Sequence, residues 1–232
     1  MTPLYLLKQY PTPDDISILD KDDLGAEMKK QSRGKFREQH ADMLITLAKN
    51  TIGIKEGVLG LSMDIQHILI QLEMLNTLIA EIESEMEMAL GRIPYSSKLL
   101  SIKGLGVVSV AGIIGEVGDF KKFQIRAEIM KLAGLDLYEI SSGKWKGRRK
   151  ISKRGRSLLR KILYYAAIQT IRNNGILHDY YTRLTERGMK RMMALVAVSR
   201  KLLGIIYAIV RDDSEYIANF ESIKRQVIKK AA

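Results

Sequence analysis

The chain has 232 residues, a formal net charge of +12 and no cysteine, which excludes disulfides and thiolate metal sites. Apolar residues make up 46% of the chain and aromatic residues only 6%, so the composition excludes a disordered tail and favours packed helices over a β-sandwich. Since no uninterrupted apolar run reaches the roughly 20 residues of a membrane span and no signal-peptide pattern opens the chain, we expect a cytoplasmic protein without membrane contact.

The charge is unevenly distributed along the chain. Residues 1–99 carry 11 Lys and Arg against 15 Asp and Glu, a net −4, whereas residues 100–232 carry 27 against 11, a net +16. A half-molecule this basic indicates a polyanionic partner, most often nucleic acid. The alternative is a surface that only keeps the protein in solution, and the asymmetry argues against it.

The opening stretch reads as short helices. Thr12–Asp15 is a good helix start, with a Thr cap, a Pro at the first helical position and two acids in the first turn. Ser32–Gly34 interrupts the pattern, and a second helix is predicted from about Phe36 to Asn50. We interpret residues 1–53 as a helical remnant or linker from the end of an N-terminal domain.

A heptad repeat follows, and it predicts a coiled coil over residues 54–93. Its first seam position is occupied by Val58, Ile65, Leu72, Ile79 and Met86, and its second by Leu61, Ile68, Leu75, Ile82 and Ala89. Two alternatives are an antiparallel hairpin and a helix that packs on its own domain. The regular seam favours a homo-oligomer formed through this helix, which Pro94 ends.

A glycine turn between two apolar segments comes next, at Leu99–Gly106. A short apolar helix, a Gly-x-Gly turn and an apolar helix with small residues form a helix-hairpin-helix pattern, in which a helix N-terminus meets a DNA phosphate. Lys103, Gly104 and Gly106 are therefore candidate nucleic-acid contacts. The alternative is an ordinary glycine turn between packed helices. The turn is not a dinucleotide-binding motif, because no strand precedes it.

The most basic segment lies beyond a helix predicted near Gln124–Ala133 and a short strand or extended stretch at Leu135–Ile140. Ten cations and no acid lie between Lys144 and Lys161. A charge run is usually a solvated surface, but one without acids beside a glycine-rich turn indicates phosphate binding. The candidate contacts are Lys144, Lys146, Arg148, Arg149, Lys150, Lys153, Arg154 and Arg156.

Three further helices are predicted: from about Arg156 to Asn174, from Leu177 to Arg187 and from Lys190 to Val210. The predicted fold is therefore mainly α, with a long coiled-coil helix followed by a helical domain that holds the helix-hairpin-helix element and a short extended, basic loop. That domain spans residues 94–211, and residues 212–232 form a basic tail.

Three strings in this order carry a family resemblance: LLSIKGLGVVSVAGIIGEVGDF, KLAGLDLYEISSGKWKGRRKISKRG and LVAVSRKLLGIIYAIV. They resemble the C-terminal domain of the IS110 (IS116/IS902-type) family of insertion-sequence transposases over roughly residues 95–211. The coil and the YPTPDDI opening are similar more loosely. The resemblance implies a DNA recombinase that acts with a structured guide RNA. It also implies an N-terminal resolvase-like nuclease domain with four metal-binding acids, which we expect to be lacking here.

The same resemblance implies a serine nucleophile just before a glycine, and Ser142 fits that place best. Its neighbour Ser141 remains an open alternative. The family usually has a proline where Leu137 stands, a departure that affects the geometry of the loop. Arg148, Arg149 and Arg154 are the nearest groups that could neutralise a phosphate.

No metal site is predicted, because the acids Asp119, Asp136 and Glu139 and the histidines are scattered along the sequence. The chain itself then has no cofactor, and Mg²⁺ is expected only with the nuclease domain. We therefore expect the chain alone to bind DNA without cutting or joining it. The alternative function is a non-catalytic protein that binds DNA or a structured RNA and oligomerises through its coil.

Overall fold

The computed structural model describes residues 2–53, 56–139, 141–142, 145–147 and 149–217, with the backbone alone at 141, 142, 145 and 146. Over these residues the chain forms eleven α-helices and four two-residue strands, which confirms the predicted, mainly α fold class. The chain divides into two compact units, Met1–Glu81 and Ile82–Ala232. We call them the N-terminal unit and the C-terminal unit.

The N-terminal unit opens with four short helices: α1 (Thr2–Gln9), α2 (Pro13–Ser17), α3 (Lys21–Gln31) and α4 (Glu38–Lys49). The predicted helix start at Thr12 is confirmed. The Asp15 amide donates to the Thr12 hydroxyl at 3.2 Å, and the Thr12 amide donates to the Asp15 carboxylate at 2.9 Å. This reciprocal cap satisfies two amides that would otherwise lack partners.

A small apolar core holds these helices together, with α3 and α2 packed on α4. Its buried members are Leu6, Leu24, Met28, Ala41 and Ile45. The hydroxyls of Tyr5 and Tyr10 both donate to the Glu27 carboxylate, at 2.5 and 3.2 Å, and so join the start of the chain to α3. Residues 2–49 thus have a core of their own.

Helix α5 (Val58–Gly91) is 34 residues long and contains all ten predicted seam positions. The helix is continuous, so the hairpin alternative is wrong. Most of its apolar side chains lie open in this single chain: Leu61, Ile68, Leu75, Ile79 and Ile82 are each about half exposed. An exposed apolar seam is expected of a helix that pairs with a second helix. The pairing of α5 stays a prediction.

Two helices are long and apolar enough, by length and composition, to cross a membrane: α5 and the last helix, Arg191–Arg211. The sequence has no uninterrupted apolar run of this length. The two helices qualify because their mean hydropathy stays high even where a single charged residue interrupts the apolar run. The core helix of a soluble protein passes the same test, and 56% of the apolar window in Arg191–Arg211 is buried. The corresponding window of α5 is only 6% buried. Two such helices are weak grounds for a membrane assignment.

In the C-terminal unit, the end of α5 is followed by α6 (Ser96–Leu100), α7 (Val107–Val117), α8 (Arg126–Leu132), α9 (Ser157–Thr170), α10 (Ile176–Glu186) and α11 (Arg191–Arg211). A 3₁₀ turn, Phe120–Lys122, precedes α8. Helix α11 is the centre of this unit and packs on α8, α9 and α10. Its side chains Val198, Leu202, Leu203 and Ile206 are fully buried.

Between α8 and α9 lie four strands of two residues each: β1 (Leu137–Tyr138), β2 (Ser141–Ser142), β3 (Trp145–Lys146) and β4 (Lys150–Ile151). Strand β1 pairs antiparallel with β4, with Leu137 opposite Ile151. Strand β2 pairs antiparallel with β3, with Ser142 opposite Trp145. The extended stretch predicted at Leu135–Ile140 is confirmed at Leu137 and Tyr138, and the predicted basic loop contains β2, β3 and the start of β4.

Candidate functional site

The glycine turn lies between α6 and α7, as the sequence predicts. Gly104 has φ +98°, and a β-carbon there would lie 2.8 Å from the Thr170 backbone at the end of α9. Gly104 is therefore required by packing and by its backbone conformation. Gly106 is different, because it has an extended backbone (φ −102°) and open space where its side chain would be.

The N-terminus of α7 is open to an anion. Gly106 occupies the cap position and no side chain caps the helix, so the amides of the first turn have no partner within it. Free amides and the positive end of the helix dipole favour a bound phosphate. Lys103 is exposed beside this turn. These features can hold one phosphate of a nucleic-acid backbone.

Several of the predicted basic contacts are exposed at the end of the segment between α8 and α9. Lys150, Lys153 and Arg154 are exposed, and they make no ion pair with any other residue that the structure describes. Lys144 and Arg148 lie outside the described residues, and Lys146 is placed by its backbone alone. Three cations are thus available to an external anion.

Two other predicted contacts have acidic partners. The Nε atom of Arg149 lies 2.9 Å from the Glu139 carboxylate, and an Nη atom of Arg156 lies 3.9 Å from Glu116. The Arg149 side chain is 74% exposed, so solvent screens its ion pair and the pair costs little to exchange for a phosphate. The long Arg156 pair is weaker still by distance.

The backbone turns sharply at Lys153, which has φ +56°. A left-handed conformation at a residue with a side chain costs roughly 1–2 kcal/mol. The surrounding contacts hold it, because the Lys153 amide donates to the Gly134 carbonyl at 3.0 Å. The next amide, that of Arg154, donates to the Ser152 hydroxyl at 3.3 Å. The turn therefore fixes the backbone from which Lys153 and Arg154 project.

Ser142 lies in β2, and its neighbour Gly143 is outside the described residues. Ser141 shares the strand and lies opposite Lys146. No group of three or more acids or histidines that could hold a metal occurs among the residues that the structure describes. The one histidine of the C-terminal unit, His178, is bonded to the Ile171 carbonyl at 2.7 Å. Neither a metal-binding cluster nor an unbonded histidine thus occurs among the described residues of the C-terminal unit.

Sequence reasoning missed the residues beneath this segment. Arg160 of α9 donates to the Ala133 carbonyl at 3.0 Å, and Arg200 of α11 donates to the Leu135 carbonyl at 2.8 Å. Burial lowers the pKa of the Arg200 guanidinium, and the neighbouring Arg126 lowers it further. The signal in the sequence was a charged pair, Arg200 and Lys201, within an otherwise apolar helix.

Comparison with known proteins places the turn and the basic segment within one family match. Residues 96–182 match the model of the Transposase IS116/IS110/IS902 family. The chain is 23% identical to the insertion element IS900 uncharacterized 42 kDa protein of Mycobacterium paratuberculosis, over 92% of this chain and 53% of that protein.

Two further relatives are shorter matches. The insertion element IS110 uncharacterized 43.6 kDa protein of Streptomyces coelicolor is 27% identical over 58% of this chain and 33% of its own length. A probable family 20 transposase of Pseudomonas aeruginosa is 25% identical over 63% of this chain and 44% of its own length. The chain therefore spans about half the length of these relatives, or less.

Proposed function

Residues 96–182 form a domain of the Transposase IS116/IS110/IS902 family, and on that premise we propose that the chain binds DNA and takes part in the transposition of an insertion sequence. The observation that carries the proposal is the set of exposed cations within the family match. Lys150, Lys153 and Arg154 have no ion-pair partner among the described residues, and the open N-terminus of α7 lies in the same domain. Both features suit a phosphate backbone.

Ser142 is the proposed nucleophile, an assignment that rests on the family resemblance. Its hydroxyl would lose a proton and attack a DNA phosphorus, forming a phosphoserine bond to one strand end. The other strand end would leave as a hydroxyl and take up a proton. Arginines are suited to neutralise the phosphate during this step, because their planar group contacts two oxygens.

Proton removal is the step that we assign to a metal-dependent partner, since no group of acids or histidines that could hold a metal occurs among the described residues. The family resemblance implies a nuclease domain with metal-binding acids before the coil. We propose that such a domain supplies the Mg²⁺ chemistry, and that this chain alone binds DNA but neither cleaves nor joins it. In this division of labour, the chain provides the serine, the phosphate contacts and the oligomerisation helix.

Oligomerisation through α5 is the second part of the proposal. The half-exposed seam residues, among them Ile68, Leu75 and Ile82, need a partner to leave water. A second copy of the chain offers the same seam and would bring two basic domains to one DNA. We propose that this assembly works in the cytoplasm.

A second candidate function is binding without catalysis, to DNA or to a structured guide RNA. It is favoured by the absence of a metal-binding group from the described part of the chain. The same cations contact either nucleic acid through its phosphates. Under this alternative, no serine would ever join to a strand.

Fluorescence anisotropy with a labelled DNA duplex tests the central proposal. We expect binding at low salt that weakens steeply as salt is raised, and competition by unlabelled DNA. Competition by a folded RNA at lower concentration than DNA would favour the guide-RNA role. Absence of binding to either nucleic acid at low salt would overturn both candidates.

A further inference from the structure

The segment of residues 136–152 leaves and re-enters the C-terminal unit at one place. The Ser152 amide donates to the Asp136 carbonyl at 2.9 Å, and the Arg156 amide donates to the Leu132 carbonyl at 2.7 Å. The side chains of Ser152 and Asp136 are also hydrogen-bonded. The end of α8 and the start of α9 are therefore joined directly, and the described residues 136–139 and 149–152 extend from this junction.

Two glycines make that junction possible. A β-carbon on Gly155 would lie 2.4 Å from the Gly134 nitrogen and 2.4 Å from the Leu132 carbonyl oxygen. A β-carbon on Gly134 would lie 2.7 Å from the Arg160 guanidinium, and Gly134 has φ +62°. Real β-carbons do not approach other atoms below 3.0 Å, so any side chain on Gly155 must push the two backbones apart by at least about 0.6 Å.

Two arginines from separate core helices hold the same junction. The carbonyls of Ala133 and Leu135 lie just past the end of α8, where helix carbonyls lack an intrahelical donor. Arg160 donates to the first and Arg200 to the second. Each arginine makes one hydrogen bond to one carbonyl, so a lysine of similar reach can in part replace it.

The strands within the segment are too short to orient it. Each of the two ladders has two residue pairs, and an isolated hairpin even of ordinary length is marginal in water. The direction in which the segment leaves the core must therefore be set at its base. At that base, the close approach of the two glycines and the bonds of the two arginines add to the backbone hydrogen bonds of Ser152, Lys153 and Arg156.

We propose that Gly134, Gly155, Arg160 and Arg200 form a clamp of positioning residues, which fixes how residues 136–152 are presented to DNA. This rests on the proposed function, because the segment carries Ser142 and its end carries the unpaired cations. The clamp residues themselves need not touch DNA. They lower the entropy cost of binding by holding the two described ends of the segment, residues 136–139 and 149–152, in place before DNA arrives.

Trp145 is the one tryptophan of the chain, and it lies in β3 inside the segment. Its fluorescence therefore reports on the segment without any label and without DNA. The test variant is Gly155→Ala in the full chain. The matched control is Gly115→Ala, because Gly115 lies on α7 with open space where a side chain would be. Arg160→Ala and Arg160→Lys are measured in parallel.

We expect Gly155→Ala and Arg160→Ala to shift the Trp145 emission and its quenching by acrylamide, while Gly115→Ala and Arg160→Lys stay near the parent. Helical circular dichroism should be kept in Arg160→Ala. DNA affinity should fall about tenfold in the variants that shift Trp145. An Arg160→Ala protein with parent-like helicity and unchanged Trp145 fluorescence would overturn the clamp.

The two proposals fail in different ways. If the parent binds no DNA while Trp145 still shifts in Arg160→Ala and recovers in Arg160→Lys, the clamp stands and the proposed function is wrong. If the parent binds DNA and both Arg160 variants bind as tightly with unchanged Trp145 fluorescence, the proposed function stands and the clamp is wrong.

Discussion

Gly104 lies so close to Thr170 that a β-carbon on the glycine would be 2.8 Å from both the backbone nitrogen and the Cα atom of the threonine. This contact seats the turn between α6 and α7 on the end of α9. Gly106, two residues further on, has no atom within 4 Å of its β-carbon position. The two glycines of one sequence motif therefore differ in role. Gly104 is needed for packing, whereas Gly106 leaves open space at the N-terminus of α7.

Replacing the first of these glycines should damage the fold. Gly104→Ala combines a steric overlap with a positive φ, and we expect it to lower the free energy of unfolding by about 2–4 kcal/mol. Gly106→Ala should lower it by less than about 1 kcal/mol, because only the preference of the cap position for glycine is lost. Urea denaturation followed by circular dichroism measures both. Equal stabilities of the two variants would contradict the packing role of Gly104.

The salt dependence of DNA binding should report the exposed cations. If about 5–8 phosphates are contacted, the slope of log affinity against log salt should be about −4 to −7. The triple variant Lys150→Ala, Lys153→Ala, Arg154→Ala should flatten that slope by about 2–3, since each lost phosphate contact removes about 0.9.

The control for this experiment removes equal charge elsewhere. Lys21, Lys29 and Lys30 are exposed on α3 in the N-terminal unit, and changing all three to Ala should leave most of the slope in place. If the two triple variants flatten the slope equally, net charge rather than the basic segment governs binding.

The seam of α5 should hold two or more chains together. Leu72→Ala with Leu75→Ala removes two seam side chains, each typically worth about 2–5 kcal/mol when fully buried. Analytical ultracentrifugation should then show a smaller species than the parent. The matched control, Leu59→Ala with Met74→Ala, changes exposed side chains outside the seam and should keep the parent's size. A parent that is monomeric at micromolar concentration would refute association through α5.

The serine assignment needs the metal-dependent partner. With a nuclease domain from a close relative added, strand transfer should leave a covalent protein–DNA adduct on a denaturing gel. Ser142→Ala should abolish the adduct and Ser141→Ala should leave it, while both variants keep binding DNA because neither loses a cation. An adduct that survives the double variant would remove the nucleophile hypothesis. Cleavage by the isolated chain in a chelator would show that no metal-dependent partner is needed.

Local sequence signals were sufficient for most helices. The heptad repeat predicted a long helix where α5 has 34 residues, and the Thr12 cap predicted the start of α2. Helix α11 is buried on more than one side, at Val198 and Leu202 as well as at Leu203 and Ile206. Three helices, α8, α9 and α10, pack around it, and Val196 and Val210 are partly buried against the same core. A helix covered on several sides loses the one-sided pattern that sequence reasoning uses.

The candidate site was less predictable, because its contacts join residues far apart in the chain. The run without acids from Lys144 to Lys161 suggested freely available cations, but Glu139 pairs with Arg149 and Glu116 approaches Arg156. Nothing in the sequence around Gly155 indicates that it touches Gly134. Such contacts depend on how the helices pack, and they produce no periodic pattern in the sequence.

The bond between Arg200 and Leu135 spans 65 residues of sequence, and it has a consequence for the order in which the chain is made. A ribosome releases Leu135, Ser142 and the basic residues well before it releases α11. Until Arg200 emerges and α11 packs against α8, the carbonyl of Leu135 lacks its donor and the segment lacks one of its supports. A nascent chain that has not yet released α11 therefore carries the exposed cations without the hydrogen bond from Arg200 to Leu135. The hydrogen bond that Arg200 donates to Leu135 therefore forms only after α11 has been synthesised, later than the segment that it supports.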